Sequence, residues 1–132
     1  MKHLGNCTPR EFMTQTVKMR RDVEKWLADT GMSEIRKRVP EGYEEMKPAE
    51  RSEAITRQAN ENMGDMLWAA MEKDPEGTLN VLGMCTFSDA GADDAPAMSE
   101  YFGAVLDMIS NEAVRNFFML CLRPARTSSS ED

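Results

Sequence analysis

Residues 8–31, TPREFMTQTVKMRRDVEKWLADTG, hold a helix start, a periodic apolar run and a stop in one stretch. Thr8 is placed to cap a helix, Pro9 suits the first helical turn, and Glu11, three residues after Thr8, completes a capping box. Phe12, Thr16, Met19, Val23, Trp26 and Leu27 then recur at helical spacing until Gly31 ends the run. The pattern predicts a helix of about five to six turns. Arg10, Lys18, Arg21, Lys25 and Asp29 occupy its other side, as on a solvated face.

The same texture continues outward. Ser33 is predicted to cap a short helix through Arg36-Lys37-Arg38, stopped by Pro40, and Pro40-Glu41-Gly42-Tyr43 reads as a turn. Lys47-Pro48-Ala49-Glu50 opens a second long helix on which Ile55, Ala59, Met63, Met66, Leu67, Ala70 and Met71 line one face, and Asp74-Pro75 ends it. Leu79, Val81, Leu82, Cys85 and Phe87 form a helix that Gly77 and Gly83 should weaken. After the loop Ser88–Ala95, Pro96 starts a helix carrying Met98, Tyr101, Phe102, Val105, Leu106 and Ile109. Ser110-Asn111-Glu112 caps the last helix, with Val114, Phe117, Phe118, Cys121 and Leu122 turned inward, until Arg123-Pro124 stops it. No stretch alternates apolar and polar residues long enough for a strand. The sequence therefore predicts an all-α fold, a single-domain bundle of five to six helices with no sheet. A flexible N-terminus over 1–7, a helical domain over 8–123 and a disordered tail over 124–132 complete the expectation.

A chain of 132 residues, 41% hydrophobic and 30% charged, has the make-up of one globular domain with a real core. Its apolar choice leans on Met, with 12 against 5 Phe, 2 Trp and 2 Tyr. Met fills irregular core gaps, and it also recurs on surfaces that must fit several partners. Cys7, Cys85 and Cys121 lie far apart, and the lone His3 completes no zinc spacing with them, so free thiols in a reducing compartment are expected, with no metal and no cofactor. The N-terminal stretch has no apolar run of signal-peptide length and no segment approaches a membrane span, so the expected location is cytoplasmic, with no membrane partner.

The net charge of -7 is unevenly spread. Residues 1–40 carry nine Lys/Arg against five Asp/Glu, whereas 41–122 carry five against sixteen. Between Asp74 and Leu122 the only cation is Arg115. Such an acidic majority repels nucleic acid and suits a basic surface on a partner or on another copy of this chain, which makes a homo-oligomer one expected arrangement.

Catalysis has little to stand on. His3 is the only histidine, so Ser-His and Cys-His pairs have no natural centre, and no carboxylate pair is marked out among so many. The loop with Asp89, Asp93 and Asp94 meets only the twelfth-position requirement of a calcium loop, at Glu100. The glycines are isolated and build no phosphate loop. Arg20, Arg21, Arg36, Lys37 and Arg38, within the basic segment 18–38, supply the alternative reading, a small DNA-binding regulatory protein, although Asp22, Glu24, Asp29 and Glu34 are interleaved with them. The favoured reading is a non-enzymatic protein that holds another chain. Trp26, Met63, Met66, Trp68 and Met71 exceed what two helical stripes need, and Phe117-Phe118-Met119-Leu120 makes the last helix apolar on more than one side.

The second half of the chain, with Leu79-Asn-Val-Leu82, an acidic connector, then Val105-Leu-Asp-Met-Ile109-Ser-Asn-Glu-Ala-Val114-Arg-Asn-Phe117-Phe118 and a polar end, resembles the tail assembly chaperones of long-tailed bacteriophages and prophages. Lys47-Pro-Ala-Glu50 and the basic stretch before Tyr43 are more loosely similar, so the resemblance covers about half the chain. It implies a small acidic, all-helical cytoplasmic protein of the bacterial host that binds the tape measure protein and keeps its apolar helices soluble until tail tube subunits polymerise around them. It also implies a longer form, made by frameshifting, whose added domain recruits the tail tube protein. It brings no catalytic residues, and it places the chaperone role on apolar helix faces, here Trp68, Met71, Phe117 and Phe118.

Overall fold

The computed structural model describes residues 1–122, and among them it has six α-helices and no strand. The helices are α1 (Pro9–Thr30), α2 (Met32–Arg36), α3 (Pro48–Lys73), α4 (Pro75–Cys85), α5 (Met98–Ser110) and α6 (Glu112–Leu122), with a 3-10 turn at Tyr43–Glu45. The fold class is the one the sequence predicts. The stop at Arg123-Pro124 and the tail 124–132 lie outside the described residues.

Local chemistry explains most boundaries. The α1 capping box is complete: Thr8 Oγ1 accepts the Glu11 N–H at 3.2 Å, and Glu11 Oε1 accepts the Thr8 N–H at 2.9 Å. Gly31, with φ of 73°, ends α1 in the left-handed region where a side chain is disfavoured. Ser33 does not cap α2 as predicted. The Gly31 carbonyl already accepts the N–H groups of Glu34 and Ile35, so α2 starts directly at Met32 and Ser33 falls inside it. Likewise α5 begins at Met98 rather than at Pro96, because Ala97 is still extended. Asn111 does cap α6, its Oδ1 accepting the Val114 N–H at 3.2 Å.

Gly83 lies in the last turn of α4 and closes it. The Ser88 N–H returns to the Gly83 carbonyl at 2.9 Å across Phe87, which takes a positive φ of 52°. A Cβ on Gly83 would sit 2.6 Å from the Ser88 carbonyl oxygen, so glycine is what this close turn admits.

The chain divides into two compact units, Met1–Trp26 with the described residues from Glu76 onward, and Leu27–Pro75. In the first, α1 and α4 run antiparallel: Gln15 Nε2 donates to the Met84 carbonyl (2.7 Å), Asn80 Nδ2 to Asp22 (3.4 Å) and Trp26 Nε1 to Thr78 Oγ1 (2.8 Å). Met19, Val23, Val81, Cys85, Tyr101, Ala104, Met108, Val114 and Cys121 fill its core. A hydroxyl chain, Thr86 to Ser88 to Tyr101 with both steps at 2.8 Å, ties the end of α4 to α5, which packs on α6. Within residues 1–7, His3 and Leu4 are buried, the Leu4 N–H donates to the Cys85 carbonyl, and Asn111 Nδ2 donates to the Gly5 carbonyl.

In the second unit, α2 and the 3-10 turn pack against α3. Arg38 pairs with Asp65 at 2.6 Å, and buried Asn62 donates to the Arg38 carbonyl while accepting from Gln58. Arg51 spreads its guanidinium over the Tyr43 ring and donates to the carbonyls of Tyr43, Glu44 and Met46, each at 3.2 Å. The side of α3 that these elements cover is made of Ala54, Asn62, Ala69 and Ala70. Of the apolar face read from the sequence, Ala70 is buried and Met66 half-buried, while Ile55, Ala59, Met63, Leu67 and Met71 are exposed. A five-residue helix and one turn come close only over small side chains, so the large ones are left on the other side.

Candidate partner-binding surfaces

The candidate residues fall on both units. On the Leu27–Pro75 unit, Met63, Leu67 and Met71 recur every four residues along α3 and lie in solvent. Trp68 stands beside them, 63% exposed. Met66 is half-buried at the margin of the covered side. Helical spacing brings Met63, Leu67, Trp68 and Met71 onto one outward patch, with Gly64 between them leaving open space where a side chain would be. Ile55, nearer the start of α3, is also exposed, on a different side of the helix from Leu67 and Met71.

On the other unit, Trp26 is half-buried and anchored by its indole N–H to Thr78, so it braces α1 against α4 rather than standing free. Phe117 and Phe118 are each half-buried and meet edge to face, ring centroids 5.1 Å apart at 69°. Val114 and Cys121 form the covered side of α6, and Met119 and Leu120 are exposed. Two exposed faces went unread in the sequence: Met13 and Val17 on α1, and Met98, Phe102, Leu106 and Ile109 on α5. The signal was present in α5, whose apolar positions spread over more of the helix than one buried stripe occupies.

The remaining chemistry is modest. A shallow open groove between α1, α4 and the following loop is lined by Gln15, Lys18, Glu76, Asn80, Phe87 and Asp89, among others. Asp89 in the acidic loop accepts the Gly91 N–H, an Asx turn. Among the described residues no cluster of three His, Cys, Asp or Glu side chains is placed to hold a metal. No helix among them is long and apolar enough to cross a membrane. Burial pushes the Cys85 thiol up to about 12 and that of Cys121 up to about 11, the Glu24 charge adding to the latter and Arg20 opposing it. Within the basic segment, Arg20 pairs with Glu24, Lys37 with Glu34 and Arg38 with Asp65. No protein-family model, curated protein or solved structure matches the chain.

Proposed function

We propose that the chain is a non-enzymatic helical binding protein of the bacterial cytoplasm. In this reading it is a tail assembly chaperone that holds the apolar helices of a tape measure protein in solution until tube subunits enclose them. The observation that supports this reading is the outward patch of α3, Met63, Leu67, Trp68 and Met71, on a helix whose covered side is filled by alanines. Large apolar groups in water gain free energy only when another surface covers them, at about 25 cal/mol per Å² removed from water. Anchors at i, i+4 and i+8 suit a partner helix laid alongside, and methionines let one patch accept many sequences along a long repetitive partner. The acidic excess of residues 41–122 would keep the complex dispersed.

Co-expression with a tape measure protein from the same phage or prophage tests the proposal. The partner's soluble yield should rise and the two should co-purify, and the double substitution Trp68→Ala, Met71→Ala should abolish both effects. An equally insoluble partner with no co-purification would sink it. A salt-dependent shift of duplex DNA, lost on charge reversal at Arg20, Arg21, Arg36, Lys37 and Arg38, would favour the regulatory reading instead.

A further inference from the structure

Residues 1–7 meet the corner between α5 and α6, and they include the chain's only histidine. His3 is 3% exposed, and its two ring nitrogens have different surroundings. Nδ1 accepts the Gly5 N–H at 3.0 Å, which leaves the proton of the neutral ring on Nε2. Nε2 is buried with no hydrogen-bond partner among the described residues, and the Asp107 carboxylate of α5 stands 3.5 Å from it. Other charges near the segment turn elsewhere. Lys2 reaches Glu11 of α1 and the Phe87 ring, and Glu112 opens α6 directly after Asn111. The end of α4 offers a neutral group, the Cys85 carbonyl that accepts the Leu4 N–H. Gly5 lies close on the ring: a Cβ there would sit 3.0 Å from His3 Cε1 and 3.1 Å from Nδ1, so the two have no slack between them. The Gly5 carbonyl in turn accepts from Asn111 Nδ2 at 3.4 Å, and Asn111 Oδ1 accepts the Val114 N–H that caps α6.

We propose that residues 1–7 form a proton-operated clasp on the α5–α6 corner, in which protonation of His3 breaks its contact with Gly5 and loosens the hold of Gly5 on Asn111. A second proton on the ring can go only to Nδ1, where it would meet the Gly5 N–H donor to donor. The Gly5 backbone must then turn away, and a turned Gly5 no longer presents its carbonyl to Asn111. Nε2 carries its hydrogen in both states, so the ring keeps its approach to Asp107 while the backbone moves. Burial works against the new charge, and the carboxylate facing Nε2 is what admits it. The change reaches the start of α6, the helix that carries Phe117 and Phe118. No residue of the α3 patch takes part, so the clasp stands or falls separately from the chaperone reading.

Nuclear magnetic resonance of the full chain from about pH 8 down to about pH 5 tests this, since histidine is the side chain that ordinarily titrates in that range. At the upper end the ring nitrogens should report the Nε2–H form. Through the His3 titration the Gly5 amide should lose exchange protection at least tenfold, and the Asn111 side-chain and Val114 amide signals should move with the same midpoint. His3→Asn keeps an acceptor near the Nδ1 position and cannot titrate, so in that variant these signals should hold still. Asp107→Asn changes an exposed side chain and leaves the ring in place, which gives a second check should His3→Asn unseat the segment. There the same signals should stay coupled and their midpoint should move to lower pH. An Nδ1–H ring at high pH, a Gly5 amide equally protected on both sides of the titration, or Asn111 and Val114 signals that ignore it would each overturn the proposal. So would a His3 that takes up no proton down to about pH 5, or a midpoint indifferent to Asp107→Asn.

Discussion

Thr8 and Glu11 hold each other's backbone N–H groups, and Glu11 also accepts from the Lys2 ammonium. The Lys2 hydrogen bond, then that from the Thr8 backbone, holds the Glu11 carboxyl below its ordinary value of 4.5. A carboxyl depressed in the folded state stabilises the fold above its unfolded value, and the contribution is lost as pH falls through the folded one. Glu11→Gln should therefore lower the melting temperature at pH 7, and the gap to wild type should close as pH is taken below about 4. Thr8→Ala should cost about 1 kcal/mol, with a weaker pH dependence than Glu11→Gln because it leaves the Lys2 hydrogen bond to Glu11 in place. Thermal melts of the three proteins across pH 3 to 7 check both, and a gap that widens in acid would contradict the assignment. This cap was legible in the sequence because all its parts lie within four residues. The burial of Leu4 was not, because it depends on Cys85, which the chain reaches only after folding.

At the scale of the element, α3 shows what spacing can and cannot decide. Helical periodicity correctly groups Met63, Leu67 and Met71, since four-residue steps place neighbours on adjacent turns. Which side is covered depends on the neighbour, and α3 is covered by a five-residue helix and a 3-10 turn over Ala54, Asn62, Ala69 and Ala70. Hydrophobicity alone would choose the methionine side, and close approach chose the alanine side. The two sides should therefore respond in opposite ways to substitution. Leu67→Gln should leave stability within about 0.5 kcal/mol of wild type, as for an exposed position. Ala69→Leu should cost about 1–3 kcal/mol by forcing bulk into a closed contact. Urea unfolding of the two variants decides the matter, and the reverse ranking would mean that the large side chains are the buried ones. The existence of α1, α3 and α6, with caps at Thr8 and Asn111 and stops at Gly31 and Asp74, was readable from local chemistry. The exposure of Trp68 and of the α5 stripe was readable only as a surplus of apolar residues with no address.

Across the whole molecule, charge and apolar exposure act together. Sixteen acidic side chains against five basic ones in residues 41–122 make the folded chain repel itself, while the exposed apolar faces favour association. Ion pairs do little to offset the repulsion. Arg20–Glu24, Lys37–Glu34 and Arg38–Asp65 are all solvent-exposed, and such pairs are worth about 0–1 kcal/mol each. Salt screens both kinds of interaction, so its net effect on stability reports which is larger. If repulsion among the carboxylates dominates, raising NaCl from about 20 to about 500 mM should stabilise the fold by about 1 kcal/mol, a rise of about 3–5 °C in Tm for a chain of this size. A Tm that falls with salt would mean that paired charges outweigh the acidic excess.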